Sequence, residues 1–244
     1  MKCLKCGRYI DADLVQPLSL ESCFCDTCMK SGFYPIEAPY CTKCGLKFHQ
    51  DSGQELTENH LCESCIKTPL KLDKVRAVTE YRGIIKEAVP LFKYSSKLAV
   101  AKVFELLLFQ AFLTHYEKRD IDLIIPIPLY RTKLKARGFN QAFLLVRNFI
   151  KLYRQDFDKT PPWKIETTSL IRIKKTEPQT GFDMKHRKDN LQKAFKVTGQ
   201  KRVKDKNILL VDDVFTTGAT CSEAAKELLK HGVKRVDAFV LARA

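Results

Sequence analysis

The residues best suited to chemistry lie in one segment, from Ile208 to Thr220. The apolar run from Ile208 to Val211 is typical of a buried strand, and it delivers two carboxylates, Asp212 and Asp213, at its carboxyl end. In open α/β sheets, ligands bind at the carboxyl ends of the strands, and free backbone N–H groups at a helix start cradle phosphate. The pattern therefore predicts a phosphate-binding turn beside an acidic pair.

The loop after the two aspartates is rich in small and hydroxyl-bearing residues. Thr216, Thr217 and Thr220 offer hydroxyl donors, and Gly218 lets the backbone approach a ligand closely. Adjacent carboxylates repel one another unless sugar hydroxyls or a cation share them. The segment favours a bound sugar phosphate, and an acidic turn that precedes an ordinary capped helix is the alternative.

A second group of candidate residues follows the Pro-containing stretch from Ile125 to Leu129. It contains Arg131, Lys133 and Arg137. Such cations are able to neutralise a diphosphate, because guanidinium and ammonium groups form charge-assisted hydrogen bonds with phosphate oxygens. A second interpretation stays open, in which the stretch is a solvated basic loop ahead of a helix that begins near Asn140.

Eight cysteines form a duplicated pattern near the amino terminus. Each half reads Cys-x2-Cys, then 18 or 17 residues, then Cys-x2-Cys, which is typical of a tetrahedral zinc site. Four thiolates complete the coordination of zinc, so we predict two structural ions and no catalytic metal. The predicted ligands are Cys3, Cys6, Cys25 and Cys28 for one ion, and Cys41, Cys44, Cys62 and Cys65 for the other.

Sequential zinc sites are favoured over cross-braced ones, because each half supplies four ligands by itself. His49 and His60 are candidates to replace a cysteine, but eight cysteines already complete two sites. Cys23 is left as a spare thiol or a substitute ligand.

The net charge of +15 is unevenly distributed along the 244 residues. Residues 1–66 carry 6 basic and 9 acidic side chains, and residues 67–244 carry 37 and 19, which gives formal charges of −3 and +18. The basic excess favours polyanionic partners such as nucleic acid or phosphorylated small molecules, although a merely basic soluble surface has the same composition. The acidic balance of the cysteine region argues against it as the main DNA-binding surface.

The amino terminus and the most apolar stretch bear on localisation. Residues 1–6 contain no apolar run of the signal-peptide kind, and the stretch from Leu98 to Leu113 is interrupted by Lys102 and Glu105. In a reducing cytosol, paired cysteines hold metal more often than they form disulfides. We therefore expect a cytoplasmic protein that does not insert into a membrane.

Strand and helix patterns alternate after a linker near residue 68, which separates a predicted zinc module (residues 1–68) from a larger domain (residues 69–244). Predicted strands cover residues 75–81, 121–127, 207–211 and 235–241. Predicted helices cover residues 83–92, 99–116, about 140–153 and 219–231, and short strands are expected within residues 164–206. The alternation predicts a mostly parallel α/β sheet with helices on both faces.

The segment from Ile208 to Thr220 resembles the fingerprint of type I phosphoribosyltransferases, which bind phosphoribosyl pyrophosphate (PRPP). The resemblance implies that Asp212 and Asp213 hold the ribose hydroxyls, that the following loop holds the 5-phosphate, and that Mg²⁺ accompanies PRPP. The implied 5-phosphate residues are Thr216, Thr217, Gly218, Ala219 and Thr220.

The chain as a whole resembles the ComF family. The resemblance rests on the cysteine pattern, the stretch from Ile125 to Gln141, the pair Lys93-Tyr94 and several positions in the basic segment. It implies that Arg131, Lys133 and Arg137 meet pyrophosphate, and that a flexible hood closes over the substrate. The implied hood residues are Gln179, Arg187 and Asn190.

The ComF resemblance implies a role in natural transformation, the uptake of external single-stranded DNA, beside the DNA-translocating helicase ATPase of the competence machinery. Aromatic residues among the cations agree with binding of single-stranded DNA, although core positions explain them equally well. They include Tyr94, Tyr130, Phe139, Trp163 and Phe182. Two rival functions stay open: an active phosphoribosyltransferase with an unidentified acceptor, and a zinc-ribbon interaction module with a degenerate pocket.

Overall fold

The computed structural model describes residues 2–10, 19–48, 59–94, 98–175 and 193–244. The strands are β1 (Val75–Glu80), β2 (Leu123–Pro126), β3 (Lys164–Ile165), β4 (Leu170–Arg172), β5 (Phe195–Val197), β6 (Asn207–Phe215) and β7 (Arg235–Arg243). The helices are α1 (Asp26–Met29), α2 (Glu63–Lys67), α3 (Gly83–Tyr94), α4 (Leu98–Tyr116), α5 (Arg131–Arg137), α6 (Gln141–Leu144), α7 (Phe149–Phe157), α8 (Gln200–Val203) and α9 (Ala219–Lys230).

The main sheet is parallel throughout and has the strand order β1-β7-β6-β2-β3. Strand β6 lies between β7 and β2, where Leu210 pairs with Ala238 on one side and with Ile125 on the other. Parallel neighbours end at the same edge of a sheet, so the carboxyl end of β6 lies beside that of β2. The acidic pair on β6 therefore lies next to the segment that follows Pro126.

Side chains of β6 alternate between two hydrophobic layers. Leu209 and Val211 pack with helices α3, α4, α6 and α7, whereas Ile208 and Leu210 pack with α9. A strand that is buried on both faces has a continuous apolar sequence, as this strand does. The parallel sheet with helices on both faces confirms the predicted fold class.

Two elements after β2 differ from the prediction. The predicted basic loop is helix α5, which ends at Gly138 with a left-handed φ of 80°. The single helix predicted from Asn140 to Tyr153 is instead two helices, α6 and α7, with a turn between them. The turn is held by Glu105 on α4, whose carboxylate accepts hydrogen bonds from the backbone N–H and side-chain amide of Asn148. Helical periodicity contains no information about such a distant contact.

The first cysteine half packs into the main core. Its buried cysteines share one hydrophobic cluster with residues of α3 and α4. The backbone N–H of Ile84, at the start of α3, donates to Gly32 O at 3.0 Å, and Lys5 forms an ion pair with Glu87 of α3 at 2.7 Å. Helix α3 is thus held at its start by the cysteine region.

The second cysteine half forms a smaller cluster of its own and contacts β1. Its four cysteines pack with Leu46, Phe48 and Leu70. Arg76 of β1 is 5% exposed, donates to the Thr42 carbonyl oxygen and lies 4.7 Å from the ring centroid of Tyr40. The Val75 N–H of β1 also donates to Lys43 O at 2.7 Å, so this half is held to β1 by a backbone hydrogen bond as well as by a buried arginine.

The described part of the chain contains no helix that is both long and apolar enough to cross a bilayer.

Candidate functional site

A cleft of about 670 Å³ opens at the carboxyl ends of β2 and β6. We call it the carboxylate cleft, after Asp212 and Asp213 in its wall. It joins residues of α3, α5, α6, β4, β6 and α9, which are widely separated in the sequence. Its lining includes Lys93, Ile127, Leu129, Lys133, Arg137, Phe139, Gln141, Arg172, Asp212, Asp213 and Thr220.

The two aspartates lie within strand β6 and not after it, because the strand continues to Phe215. Asp212 is still in register with Val240 of β7. The backbone N–H of Asp213 donates to Asp212 Oδ1 at 2.9 Å, and Asp213 Oδ2 forms an ion pair with Lys93 Nζ at 2.7 Å. The last turn of α3 thus supplies the counter-charge to the acidic pair.

Burial and charge shift the titration of this group. Burial raises the pKa of Asp212 well above its usual value, and the neighbouring charge of Asp213 adds to the effect. Burial opposes the charge of Lys93, but Asp213 outweighs it and raises the pKa of Lys93. The sequence indicates Lys93 only through the ComF resemblance, whereas the structure gives it a defined partner.

The loop after β6 turns at Gly218, directly before α9 begins. Gly218 has a left-handed φ of 74°, and a methyl group in its place would lie 2.3 Å from the ring of Phe215. The Ala219 N–H donates to Thr217 Oγ1 at 3.4 Å where α9 begins. The predicted phosphate residues divide between Thr216, Thr217 and Gly218 in the loop and Ala219 and Thr220 in the first turn of α9.

The predicted pyrophosphate residues separate in the structure. Lys133 and Arg137, on α5, line the carboxylate cleft, whereas Arg131 lines a neighbouring cleft. Arg137 Nη1 donates to Gln141 Oε1 at 2.5 Å, which fixes its direction. Burial lowers the pKa of Lys133, and the positive charges of Arg172 and Arg137 lower it further. Cations are therefore crowded at one side of the carboxylate cleft.

Arg172 of β4 is a cleft residue that the sequence interpretation missed. It lines the carboxylate cleft together with the α5 cations. The only signal for it was the excess of basic residues between positions 164 and 206. Strand β4 pairs antiparallel with β5, with Leu170 opposite Val197. The implied hood residues Gln179, Arg187 and Asn190 lie outside the described residues.

The aromatic residues predicted among the cations have different environments. Tyr130 and Phe139 line clefts. Trp163 is a core residue, 4% exposed, whose ring centroid lies 5.5 Å from that of Phe112. Trp163 is therefore not available to stack on a nucleobase. The side chain of Tyr94 and the whole of residue 182 lie outside the described part of the chain.

The eight predicted cysteines form two sequential clusters. In each cluster the sulfur atoms lie within 4.8 Å of one another. The Cys6 and Cys25 sulfurs are 3.6 Å apart, as are those of Cys44 and Cys62. A tetrahedral site with Zn–S bonds of about 2.3 Å requires sulfur atoms about 3.8 Å apart. The donor set and spacing of each cluster fit a zinc ion, and the sequential arrangement is the favoured one.

Local hydrogen bonds favour the thiolate form of one member of the second cluster, Cys41. Burial disfavours a charge on Cys41, but the backbone N–H groups of Cys44 and Cys62, at 3.4 and 3.3 Å from its sulfur, outweigh burial and lower the pKa of Cys41 to about 6. Cys23 is buried but belongs to neither cluster. His60 stacks on Phe48 and is also not a member.

The raised pKa of Asp212 predicts that Asp212→Asn stabilises the protein at neutral pH. A carboxyl group whose pKa in the folded state exceeds the unfolded value of about 3.9 destabilises the folded protein. This destabilisation grows as the pH rises above about 3.9. The amide removes this cost, so the gain is expected to be larger at about pH 8 than at about pH 5. Urea unfolding of both proteins at the two pH values measures it.

Asp122 provides the matched control for this substitution. Its carboxylate accepts from the Asn207 N–H at 2.8 Å and pairs with Lys206 at 3.0 Å, and despite burial these bonds lower the pKa of Asp122. A lowered pKa contributes stability above the unfolded value that is lost in acid. Asp122→Asn should therefore destabilise at about pH 8. Destabilisation by both substitutions would contradict the raised pKa of Asp212.

The parallel sheet, the acidic pair and the glycine-containing turn define a protein of the phosphoribosyltransferase fold class, preceded by two four-cysteine clusters. Residues 151–244 match the family described as phosphoribosyl transferase domain. This match includes β6, the loop that follows it and α9, but not α5.

Relatives that match over most of their length identify the family. The chain is 30% identical over 210 residues to Competence protein F of Haemophilus influenzae, covering 84% of this chain and 85% of that protein. It is 27% identical over 207 residues to the DNA utilization protein YhgH of Escherichia coli K12, covering 83% of each. It is 26% identical over 252 positions to Competence protein ComFC of Bacillus subtilis, covering 99% and 94%. The chain belongs to the ComF family, which confirms the resemblance.

Proposed function

We propose that this protein is a ComF-type DNA-uptake factor that binds PRPP in the carboxylate cleft and single-stranded DNA on the adjoining cationic surface. The observation that carries the proposal is a cleft in which two carboxylates, the first turn of α9 and several cations meet. The match to a phosphoribosyl transferase domain supports a sugar-phosphate ligand. The relatives named for competence and DNA utilization support a role with DNA.

The proposal assigns the three parts of PRPP to three groups of residues. Asp212 and Asp213 accept hydrogen bonds from the ribose hydroxyls, and the loop ahead of α9 donates N–H and hydroxyl groups to the 5-phosphate. In this proposal Lys133 and Arg137, which line the same cleft, bind the diphosphate, and Arg172 adds a third cation. Mg²⁺ accompanies the diphosphate as its further counter-ion in this proposal.

The proposed DNA surface continues outward from the carboxylate cleft. Lys174 and Lys175 follow β4 and are exposed, and Arg131 is exposed on α5. Exposed cations of this kind bind the phosphate backbone of a nucleic acid. The protein acts, in this proposal, in the cytoplasm beside a helicase ATPase that translocates DNA. The proposal also keeps the division into a zinc-ribbon module, residues 1–68, and a phosphoribosyltransferase-like domain, residues 69–244.

Titration of the zinc-loaded protein with PRPP, with single-stranded DNA and with both together tests the proposal. Calorimetry should detect PRPP binding in the presence of Mg²⁺, and fluorescence anisotropy should detect DNA binding. A change in DNA affinity at saturating PRPP would measure the coupling free energy between the two ligands. Absence of both binding reactions would overturn the proposal.

Binding of single-stranded DNA should weaken steeply with salt. Each phosphate that the protein neutralises releases counterions and contributes about −0.7 to the slope of log affinity against log salt concentration. Glutamate substitution of four cations should lower the affinity at least about tenfold and make the slope shallower by about 0.7 for each phosphate that is no longer bound. The four positions are Arg131, Lys133, Lys174 and Lys175.

The control for this experiment reverses the same number of charges on another surface. Lys102, Lys118, Lys151 and Lys159 are exposed on or just after helices α4 and α7. The variant with glutamate at these four positions has the same net charge as the test variant. It therefore distinguishes the contribution of a local DNA-binding surface from that of long-range attraction by the whole protein. Equal losses of affinity in the two variants would contradict a defined DNA surface.

The domain match also favours a second candidate function, an active phosphoribosyltransferase. It would break the bond between ribose C1 and pyrophosphate in favour of a nucleophile, with Mg²⁺ assistance. Release of pyrophosphate from PRPP on addition of candidate acceptors tests for turnover. PRPP binding without release would favour a ligand-binding role, and failure to bind PRPP would favour a zinc-ribbon interaction module with a degenerate pocket.

A further inference from the structure

A second cleft, of about 770 Å³, lies between α5 and β4 and borders the carboxylate cleft. We call it the apolar cleft. Arg172 and Leu129 line both clefts, so the two are continuous. The residues implied for PRPP do not account for the apolar cleft, apart from Arg131 at its rim. Its other principal lining residues are Tyr130, Leu134, Phe143, Ile171 and Ile173.

Several apolar side chains that line the apolar cleft are exposed to solvent. Leu134, Ile171 and Ile173 are 41%, 37% and 45% exposed, and they come from two different elements that face one opening. Single exposed apolar side chains are ordinary, but several that converge on a concave surface indicate a binding site. The cleft therefore has the character of a site for an apolar group.

The cleft is also preformed. The backbone of Tyr130 is bridged to that of Arg172, which joins the start of α5 to β4. Asn140 Nδ2 donates to the Ile127 carbonyl at 3.0 Å and holds the segment after β2 in place. A preformed site avoids the entropy cost of ordering its walls on binding. It favours a rigid, compact ligand group.

The charged residues at the rim of the apolar cleft indicate which kind of ligand is complementary to it. Arg131 and Arg172 line the apolar cleft, and none of the described residues that line it is acidic. Lys133 and Arg137 lie next to it, in the carboxylate cleft. A second copy of this chain in a twofold arrangement would bring this cationic surface against itself, which is unfavourable. The fitting partner is flat and apolar, with negative charge beside it.

We propose that the apolar cleft seats an unstacked nucleobase of single-stranded DNA, while Arg131 and Arg172 contact the phosphates on either side. This inference rests on the proposed DNA binding and assigns its base-contacting site. Tyr130 and the aliphatic side chains contact the faces of the base, a mode that tolerates any sequence. Duplex DNA keeps its bases stacked and is excluded from the cleft.

Two oligonucleotides of equal length and charge test the assignment, one of oligothymidylate and one abasic. The parent protein should bind oligothymidylate more tightly, by roughly fivefold to a hundredfold for one stacked base. Ile171→Ser and Tyr130→Ala should each reduce oligothymidylate binding towards the abasic value and leave abasic binding and its salt slope unchanged. Ile173→Ser provides an independent variant, should Tyr130→Ala disturb α5.

Leu229→Ser is the matched control, because Leu229 has the same 37% exposure as Ile171 but lies on α9 and lines neither cleft. It should bind both oligonucleotides as the parent does. Equal affinity of the parent for the two oligonucleotides overturns the base site and leaves DNA binding intact, whereas binding of neither overturns both proposals. A parent dimer that Ile171→Ser converts to a monomer in light scattering assigns the cleft to a second copy and overturns the base site.

Discussion

Replacement of Cys25 by serine is expected to remove one of two bound zinc ions and to destabilise the protein strongly. Folding and zinc binding are coupled at four-cysteine sites, with apparent binding free energies of roughly 10 to 16 kcal/mol. Cys25 lies 3.6 Å from Cys6, sulfur to sulfur, and its cluster packs with α3 and α4 in the main core. Loss of this ion should therefore weaken the packing of α3 as well as the cysteine region.

Metal analysis of protein purified without chelator measures the stoichiometry, and urea unfolding measures the stability. The parent should contain two zinc ions and the Cys25→Ser variant one. Cys23→Ser is the control, because Cys23 is equally buried and only two residues away but is not a cluster member. It should keep both ions. A parent with fewer than two ions, or a Cys23→Ser variant that loses one, would show that the ligands are wrongly assigned.

Local patterns in the amino-acid sequence predicted much of this structure. The apolar run before Asp212 predicted β6, because a strand buried on both faces must be apolar throughout. The cysteine spacing predicted both clusters, because a metal site closed by local turns needs only nearby residues. The start of α9 after Gly218 was likewise visible, since a left-handed turn favours glycine.

Contacts between distant residues account for what the sequence did not predict. The ion pair of Lys93 with Asp213 joins α3 to β6 across about half of the chain, and no spacing rule links those positions. The separation of Arg131 from Lys133 and Arg137 follows from their places around helix α5, which the basic loop prediction had not included. The break between α6 and α7 depends on Glu105 of α4. Each was decided by tertiary packing.

The joint replacement of Asp212 and Asp213 by alanine is expected to abolish high-affinity binding of PRPP while the fold survives. Each charged hydrogen bond to a ribose hydroxyl is worth about 1.5 to 3 kcal/mol, so two such bonds correspond to roughly a hundredfold to ten-thousandfold loss of affinity. Survival of the fold is expected because the pair lines a cleft and ionisation of Asp212 is itself unfavourable. Calorimetry with Mg²⁺ present measures the loss.

Inorganic phosphate should respond in the opposite direction to the same double substitution. The change removes both carboxyl groups from the cleft and releases Lys93 from its ion pair with Asp213, so an anion without a ribose should bind as well or better. Glu117→Ala with Asp156→Ala is the control, because it removes the same number of carboxyl groups from exposed positions. It should leave PRPP binding unchanged. Equal PRPP affinity in the Asp212 and Asp213 double variant and the parent would exclude the acidic pair from ribose recognition, whereas parallel losses for PRPP and phosphate would point to a collapsed cleft.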